Sequence, residues 1–593
     1  MSDYHAPTRD MQFVINEIAD LHTITELAGF EDATADLVEA VLEQAGVLAH
    51  EVFAPLNHPG DEHGTRIENG VVVSPPGYAE AYRQFVENGW QGIGKSTAID
   101  GQGMPFLVHS AVAEMWYSSN MAFALCPLLT SGAIEAIEVH ANTDLQELYL
   151  PKMVSGEWSG TMNLTEPQAG TDLAAIKTRA ERDGDRYRIR GQKIYITWGE
   201  HEMSDNIVHL VLARLPDAPE GVKGISLFLV PRYLVNDDGS RGERNDLKVV
   251  SVESKMGIHS SPTCVMSYGD KEGAIGYLVG EEHKGLACMF TMMNNARLEV
   301  GMQGVAISER AYQQAVWFAK ERVQGIARGH TQRSTIIHHP DVRRMLMQMR
   351  AITEAGRAVA YYASAQTDLA HHAGSAEDRV AHQRRVDLII PIVKGWCTEM
   401  AQEATYLGVQ VHGGMGFVEE TGAAQYMRDA RILTIYEGTT GIQALDLMGR
   451  KMLRDKGQAM AELIEELKVL EHQLSAAGGD FATIGIRFTA ALAALEDATS
   501  WYLQNAVEDP DLGSAIGVDY MMLAGNVVCA WLMGRAALAA QKHIDAGSRD
   551  RFYPHKIKTA LFFAEHILPR SEAQVVMVKS GSASVMAIDV DSF

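Results

Sequence analysis

Glu437 stands in the stretch IYEGTTG (435–441), between a bulky aromatic and a Gly/Thr-rich turn that leads into a helical pattern. A carboxylate so placed can take a proton, and a dry pocket would raise its pKa toward neutrality. It could equally be a surface acid at a helix start, facing the dipole, with Thr439 or Thr440 as N-cap. Two other stretches have small-residue turns where backbone can approach a ligand: NLTEPQAGTDLAAIKTRA (163–180) and VQVHGGMGF (409–417). Read alone, these are a β-turn before a hairpin and a helix C-cap. A fourth, GWQGIGKS (89–96), fits the phosphate-loop pattern, in which backbone N–H groups cradle a polyphosphate and a lysine reaches its outer oxygens.

The elements around these residues decide between such readings. A phosphate loop needs a buried strand before it and a helix after it. Here Tyr78, Tyr82, Phe85 and Val86 mark an amphipathic helix before Gly89, and TAIDGQGMPF after Ser96 is a Gly/Pro loop. The spacing therefore predicts a helix C-cap at Gly89, with Trp90 packed under it. Residues up to about 158 carry the helical period, broken by a Pro/Gly/His-rich stretch at 55–77. From about 159 to 285, RYRIRGQKIYITWG, NIVHLVLARL and GISLFLVP predict strands. Helical periodicity returns from about 286 to 455, and MAELIEELKVLEHQL opens a further helical block after Gly457. The expected class is α+β: an N-terminal extension (1–35), a helical domain (36–158), a middle β domain (159–285), a C-terminal helical bundle (286–455) and an additional C-terminal helical domain (460–593).

At 593 residues with 46% apolar and 21% charged side chains, the chain is of ordinary globular composition. A formal charge of −25 disfavours duplex nucleic acid or an anionic membrane as main partner. Five scattered cysteines without a CxxC pair give neither a disulfide framework nor a zinc site. The paired histidines 338–339 and 371–372 lack the i, i+4 spacing of a helical metal site, so no metal is expected. Met-rich CMFTMMNN reads as core filling. The N-terminal stretch lacks a signal peptide's pattern and no apolar run approaches a membrane span, which makes the expected location cytoplasmic.

In this order and spacing, LTEPQAGTDLAAIKTRA, VQVHGGMGF and MRDARILTIYEGTTGIQ resemble the acyl-CoA dehydrogenase family over about residues 80–450. The resemblance implies FAD as cofactor and α,β-dehydrogenation of an acyl-CoA thioester. Thr165 would bond the flavin ring, with the backbone around Leu164 assisting. Thr171 would sit near the FAD pyrophosphate and the acyl-CoA, and Tyr195 and Thr197 would flank the isoalloxazine. Arg322, Gln410 and Gly414 match residues that reach a neighbouring subunit's FAD, and Thr439 would meet the pyrophosphate. Arg297 and Tyr436 fall on the substrate side. Glu437 resembles the catalytic base. Some members carry that base just before an arginine on an earlier helix, where this chain has Ala296 ahead of Arg297. Glu299, two residues on, is expected to be a solvated charge. The wording of the chain is closest to a large bacterial subgroup, implying a fatty acyl-CoA or 3-methylmercaptopropionyl-CoA as substrate, an electron-transfer flavoprotein as acceptor, and a homodimer. An oxygen-using acyl-CoA oxidase and a non-catalytic flavoprotein scaffold are the rival functions.

Overall fold

The computed structural model describes residues 3–593. They form two compact units, each made of chain segments that are not contiguous: Val47–Met104 with Ser119–Ala296, and residues up to Gly46 with Pro105–Ser118 and Arg297–Phe593.

The first unit is organised by an eight-stranded sheet. Leu247–Val252, Thr263–Tyr268, Arg186–Thr197, Ala274–Val279, Ile225–Pro231, Asn206–Arg214 and Trp158–Asn163 lie side by side in that order. Arg179–Asp183 pairs with both Arg186–Thr197 and Asn206–Arg214, which closes five of the strands into a ring. Ile225–Pro231 is buried at every position, which is why ISLFLVP reads as a continuous apolar run. Alternate residues serve two cores: Val208, Leu210, Leu227 and Leu229 enter one cluster, and Val211, Phe228 and Val230 the other. Helix Met121–His140 lies against strand Trp158–Asn163 at Gly160, where a Cβ would come within 2.6 Å of Ala133 Cβ. The Gly160 N–H donates to Thr130 Oγ1 at 3.0 Å.

In this unit GWQGIGKS is the end of helix Tyr78–Glu87 and a short turn. Gly89 takes the left-handed position after the helix (φ +74°), and the Lys95 ammonium donates to the Ser131 carbonyl at 3.0 Å. The 55–77 stretch is more ordered than its Pro/Gly content implies. Helix Ala54–His63 follows directly on a π-turn, Ala49–Phe53, and carries Pro55 in its first turn and Pro59 inside it. Arg66–Glu68 and Val71–Val73 then form a hairpin through left-handed Asn69-Gly70, the pair such a two-residue turn demands.

The second unit is helical. Its principal members are Phe106–Ser119, Gly285–Glu321 from Arg297 onward, Pro340–His372, Ala376–His412 and Leu512–Asp545. Asp368 fixes the start of Phe106–Ser119 by accepting the N–H groups of Phe106 (2.8 Å) and Leu107 (2.9 Å). The helices after residue 458 pack into this same unit, with Trp396 Nε1 donating to Asn526 Oδ1 at 2.9 Å. Contrary to the sequence reading, Met121–His140 and Leu512–Asp545 are long and apolar enough to cross a membrane. Their apolar windows are 78% and 83% buried inside the protein, so packing in the core accounts for the composition of each.

Candidate active site

The turn that carries Glu437 is held from three directions within the helical unit. The Tyr436 hydroxyl bonds Gln303 on helix Gly285–Glu321. Glu437 (φ +54°) and Gly438 (φ +92°) are both left-handed, which for a non-glycine residue stores strain of order 1–3 kcal/mol and persists only where the surroundings impose it. Here the Gln443 amide donates to the Glu437 carbonyl at 3.2 Å, and the Lys394 ammonium donates to the Gly438 carbonyl at 2.7 Å. Thr439 caps the short helix Thr440–Leu445 by accepting the Ile442 N–H at 3.3 Å. The Thr440 hydroxyl donates to Glu399 at 2.5 Å.

Glu437 is half-buried, and among the described residues its carboxylate makes no hydrogen bond. Burial pushes its acid up to about 7, against the pull of Arg297 and Lys394. Arg297 is 5% exposed, pairs with Asp446 at 3.2 Å, and keeps a buried Nε without a partner. Burial draws Lys394 down to about 8, opposed by Glu437 and Glu399 and helped by Arg297. A carboxylate tuned to neutrality and flanked by two cations can accept a proton at physiological pH.

Glu299 is not solvated as expected. It is 5% exposed, its carboxylate accepts from the Tyr117 hydroxyl at 2.5 Å, and it pairs with His109 Nε2 at 2.9 Å. The helix is enclosed on more than one face around it (Leu298, Val300 and Met302 are all buried), so position 299 has no water-facing side.

The β unit holds the other group of candidates. Glu166 of the Thr-Glu-Pro turn is its anchor: the carboxylate accepts from Lys177 N–H (2.6 Å), Thr178 N–H (3.0 Å), the Thr178 hydroxyl (2.6 Å) and Lys193 Nζ (2.8 Å). Burial would raise this acid, but Lys193 and the other donors hold it down at about 2. Lys193 also donates to the Leu164 carbonyl at 2.9 Å, and Ile194 N–H to that of Thr165 at 2.9 Å. Opposite Val265 the strand Arg186–Thr197 has two residues, Ile194 and Tyr195, a bulge that leaves Tyr195 left-handed (φ +58°) and 60% exposed. The Thr197 carbonyl accepts from Thr161 Oγ1 at 2.7 Å. Thr171 lies exposed in the following loop.

Arg322, Gln410 and Gly414 come together in the helical unit, around a cavity of about 420 Å³ that also touches Phe318, His412 and Met415. Phe318 and His412 stack with centroids 4.4 Å apart, and His412 Nε2 is buried without a partner. A stacked ring pair, a guanidinium and an unsatisfied ring nitrogen suit a flat, phosphate-bearing ligand. The anchors Glu166, Lys193, Lys394 and Gln443 escaped sequence reasoning. Glu166 was in view inside its motif, but nothing in spacing joins it to a lysine 27 residues on.

Four family models tile the chain: acyl-CoA dehydrogenase N-terminal domain (40–157), middle domain (161–270) and C-terminal domain (283–453), then an acetyl-CoA dehydrogenase C-terminal-like domain (458–589). The 3-methylmercaptopropionyl-CoA dehydrogenase of Ruegeria pomeroyi is 47% identical over 96% of this chain and 97% of its own. The broad-specificity linear acyl-CoA dehydrogenase FadE5 of Mycobacterium tuberculosis is 33% identical over the full length of both. Among solved structures, Caenorhabditis elegans ACDH-11 in complex with C11-CoA shares the fold with a TM-score of 0.77 at 20% identity, covering 95% of this chain and 92% of that one. The fold is that of an acyl-CoA dehydrogenase. The chain belongs to the acyl-CoA dehydrogenase family, and FAD is the cofactor that goes with it.

Proposed function

We propose that this enzyme oxidises an acyl-CoA thioester across Cα–Cβ to the 2-enoyl-CoA, with Glu437 taking the α-proton. The observation that carries this reading is the Glu437 carboxylate itself: fixed in a left-handed turn, without a hydrogen bond among the described residues, and tuned by burial to about 7. Arg297 and Lys394 favour its ionised form, so a useful fraction is ready to accept a proton at neutral pH. Bound FAD supplies the acceptor for the two electrons and the hydrogen that leave Cβ. Leu164, Thr165, Tyr195 and Thr197 would hold the ring system and Thr171 and Thr439 the phosphates, while Arg297 and Tyr436 shape the substrate side beside the base.

The substrate we propose is 3-methylmercaptopropionyl-CoA or a fatty acyl-CoA, from the likeness to the Ruegeria and Mycobacterium enzymes. An electron-transfer flavoprotein receives the electrons. The proposed assembly is a homodimer in which Arg322, Gln410 and Gly414 complete the partner copy's FAD site. The apolar surface beside their cavity supports it, with Phe417 89%, Met415 48% and Val323 47% exposed. The cytoplasm, where thiols stay reduced, suits five free, buried cysteines. The five-segment division of the chain at residues 35, 158, 285 and 455–460 is proposed as its functional layout.

The test is Glu437→Gln, which keeps size but cannot accept the proton. Flavin reduction by acyl-CoA should fall at least ~10²–10⁴-fold while the protein stays yellow and binds substrate. Reduction within a few-fold of wild type would assign the base elsewhere. A panel of straight-chain and methylthio acyl-CoAs, read by anaerobic bleaching, identifies the substrate.

A further inference from the structure

We infer that Lys394 is a positioning residue for Glu437: its ammonium ties down the carbonyl of the Glu437–Gly438 turn and supplies one of the two positive charges facing the carboxylate. The inference rests on Glu437 being the base. Lys394 lies on helix Ala376–His412 and is fully buried. Among the described residues its ammonium makes one hydrogen bond, to the Gly438 carbonyl at 2.7 Å, and no carboxylate lies within 4 Å of it. An ammonium taken out of water without an ion pair costs several kcal/mol, and such groups concentrate where a site uses them. What this lysine touches is the carbonyl one residue after the base, in a turn that is left-handed at both positions.

The charges around the pair make the assignment specific. From helix Gly285–Glu321 only Arg297 faces Glu437, and its guanidinium is already engaged by Asp446. From helix Ala376–His412 come Lys394 itself and Glu399, the latter engaged by the Thr440 hydroxyl. Neighbouring Tyr436 bonds Gln303. Among the described residues, Lys394 is therefore the one cation that is both linked to the turn's backbone and felt by the carboxylate. Losing its charge must make the base harder to ionise, while losing its hydrogen bond must loosen the turn. The two roles separate in two variants: Lys394→Gln keeps a donor without charge, and Lys394→Met removes both.

The experiment follows flavin reduction by acyl-CoA against pH in single turnovers, on holoenzyme of wild type and of both variants, with Glu437→Gln as reference. Both Lys394 variants should shift the rising limb of the profile up by roughly one pH unit, equivalent to an about fivefold loss of rate at pH 7. Lys394→Met alone should also lower the high-pH plateau, and Lys394→Gln should restore it. Profiles that superpose on wild type, with Glu437→Gln inactive, overturn the role of Lys394 and leave the base standing. An active Glu437→Gln overturns the base assignment and this inference with it. Loss of FAD and helix content in both Lys394 variants makes the lysine a folding residue and overturns the inference as well.

Discussion

The burial that raises the Glu437 acid also weakens the fold around it. A carboxylic acid moved from 4.5 in the free side chain to about 7 in the folded protein favours the protonated state on folding. Above the lower value the unfolded chain has already released the proton, so the folded state is penalised increasingly as pH rises from about 4.5 to about 7, up to about 3 kcal/mol. Glu437→Gln removes that penalty. The variant's Tm should therefore match wild type near pH 4.5 and exceed it at about pH 8, with the gap opening through the interval between. Calorimetry of the two proteins at matched FAD loading checks this, and a gap that is flat or reversed with pH refutes the burial shift. The carboxylate was legible in the sequence because its motif surrounds it. Lys394 was not, since a lysine inside a long helix gives no sign of which distant carbonyl it meets.

At the level of elements, each of the two candidate turns is braced by side chains remote in sequence. The Thr-Glu-Pro turn is held by Glu166, which gathers donors from Lys177, Thr178 and Lys193. Its folded acid lies near 2, well below the unfolded 4.5, so this stability is complete above the unfolded value and is lost as pH falls through the folded one. Glu166→Ala strands Lys193, which has no exposed surface, as an uncompensated charge, a loss that runs to about 3–5 kcal/mol for buried pairs. The variant should melt lower and lose FAD on gel filtration, whereas Thr171→Ala, at an exposed loop position, should melt like wild type. Retention of FAD and Tm by Glu166→Ala would show that the turn stands without its anchor. The order of helices and strands was readable from periodicity, as in the fully buried ISLFLVP strand. The 55–77 region was not, because Pro55 and Asn69-Gly70 read as breakers, although the helical run continues past Pro55 after a π-turn and Asn69-Gly70 closes a hairpin. Glu299 was misplaced for a similar reason: helical spacing locates a side chain on a face but does not say which faces are covered.

Across the whole helical unit, chain termini and middle are locked together by buried charge. Arg357, 1% exposed, binds Glu114 (2.6 Å), Asp10 (2.5 Å) and Glu309 (2.9 Å), joining the helix Thr8–Glu17 to Phe106–Ser119 and Gly285–Glu321. Lys556, equally buried on the helix Phe552–His566, binds the same Asp10 (2.8 Å) and Glu354 (2.7 Å). Residues 10, 114, 309, 354, 357 and 556 thus meet in one network, which gives the C-terminal helices a structural task that does not involve the reacting atoms. Lys556→Met keeps most of the stem and removes the charge, and with it the cation–π contact of the ammonium over the Phe13 ring (5.5 Å to the centroid). Arg357 remains for Asp10, and Arg350 for Glu354 at 2.6 Å, so the loss should sit at or below the about 3–5 kcal/mol seen when a buried pair is broken. Burial raises Asp10, but Lys556 and Arg357 together hold it at about 2 against an unfolded 3.8. That contribution is complete above 3.8 and disappears as pH falls toward 2, so the difference in stability between wild type and Lys556→Met should be widest at neutral pH and narrow on acidification. Flavin reduction per bound FAD at 25 °C should be unchanged, because the lysine serves the scaffold. Urea unfolding at several pH values, beside single-turnover reduction, measures both quantities. A Lys556→Met protein as stable as wild type at neutral pH would remove the network as the lock between the two ends of the chain, and a slowed reduction step would place Lys556 in the catalytic machinery.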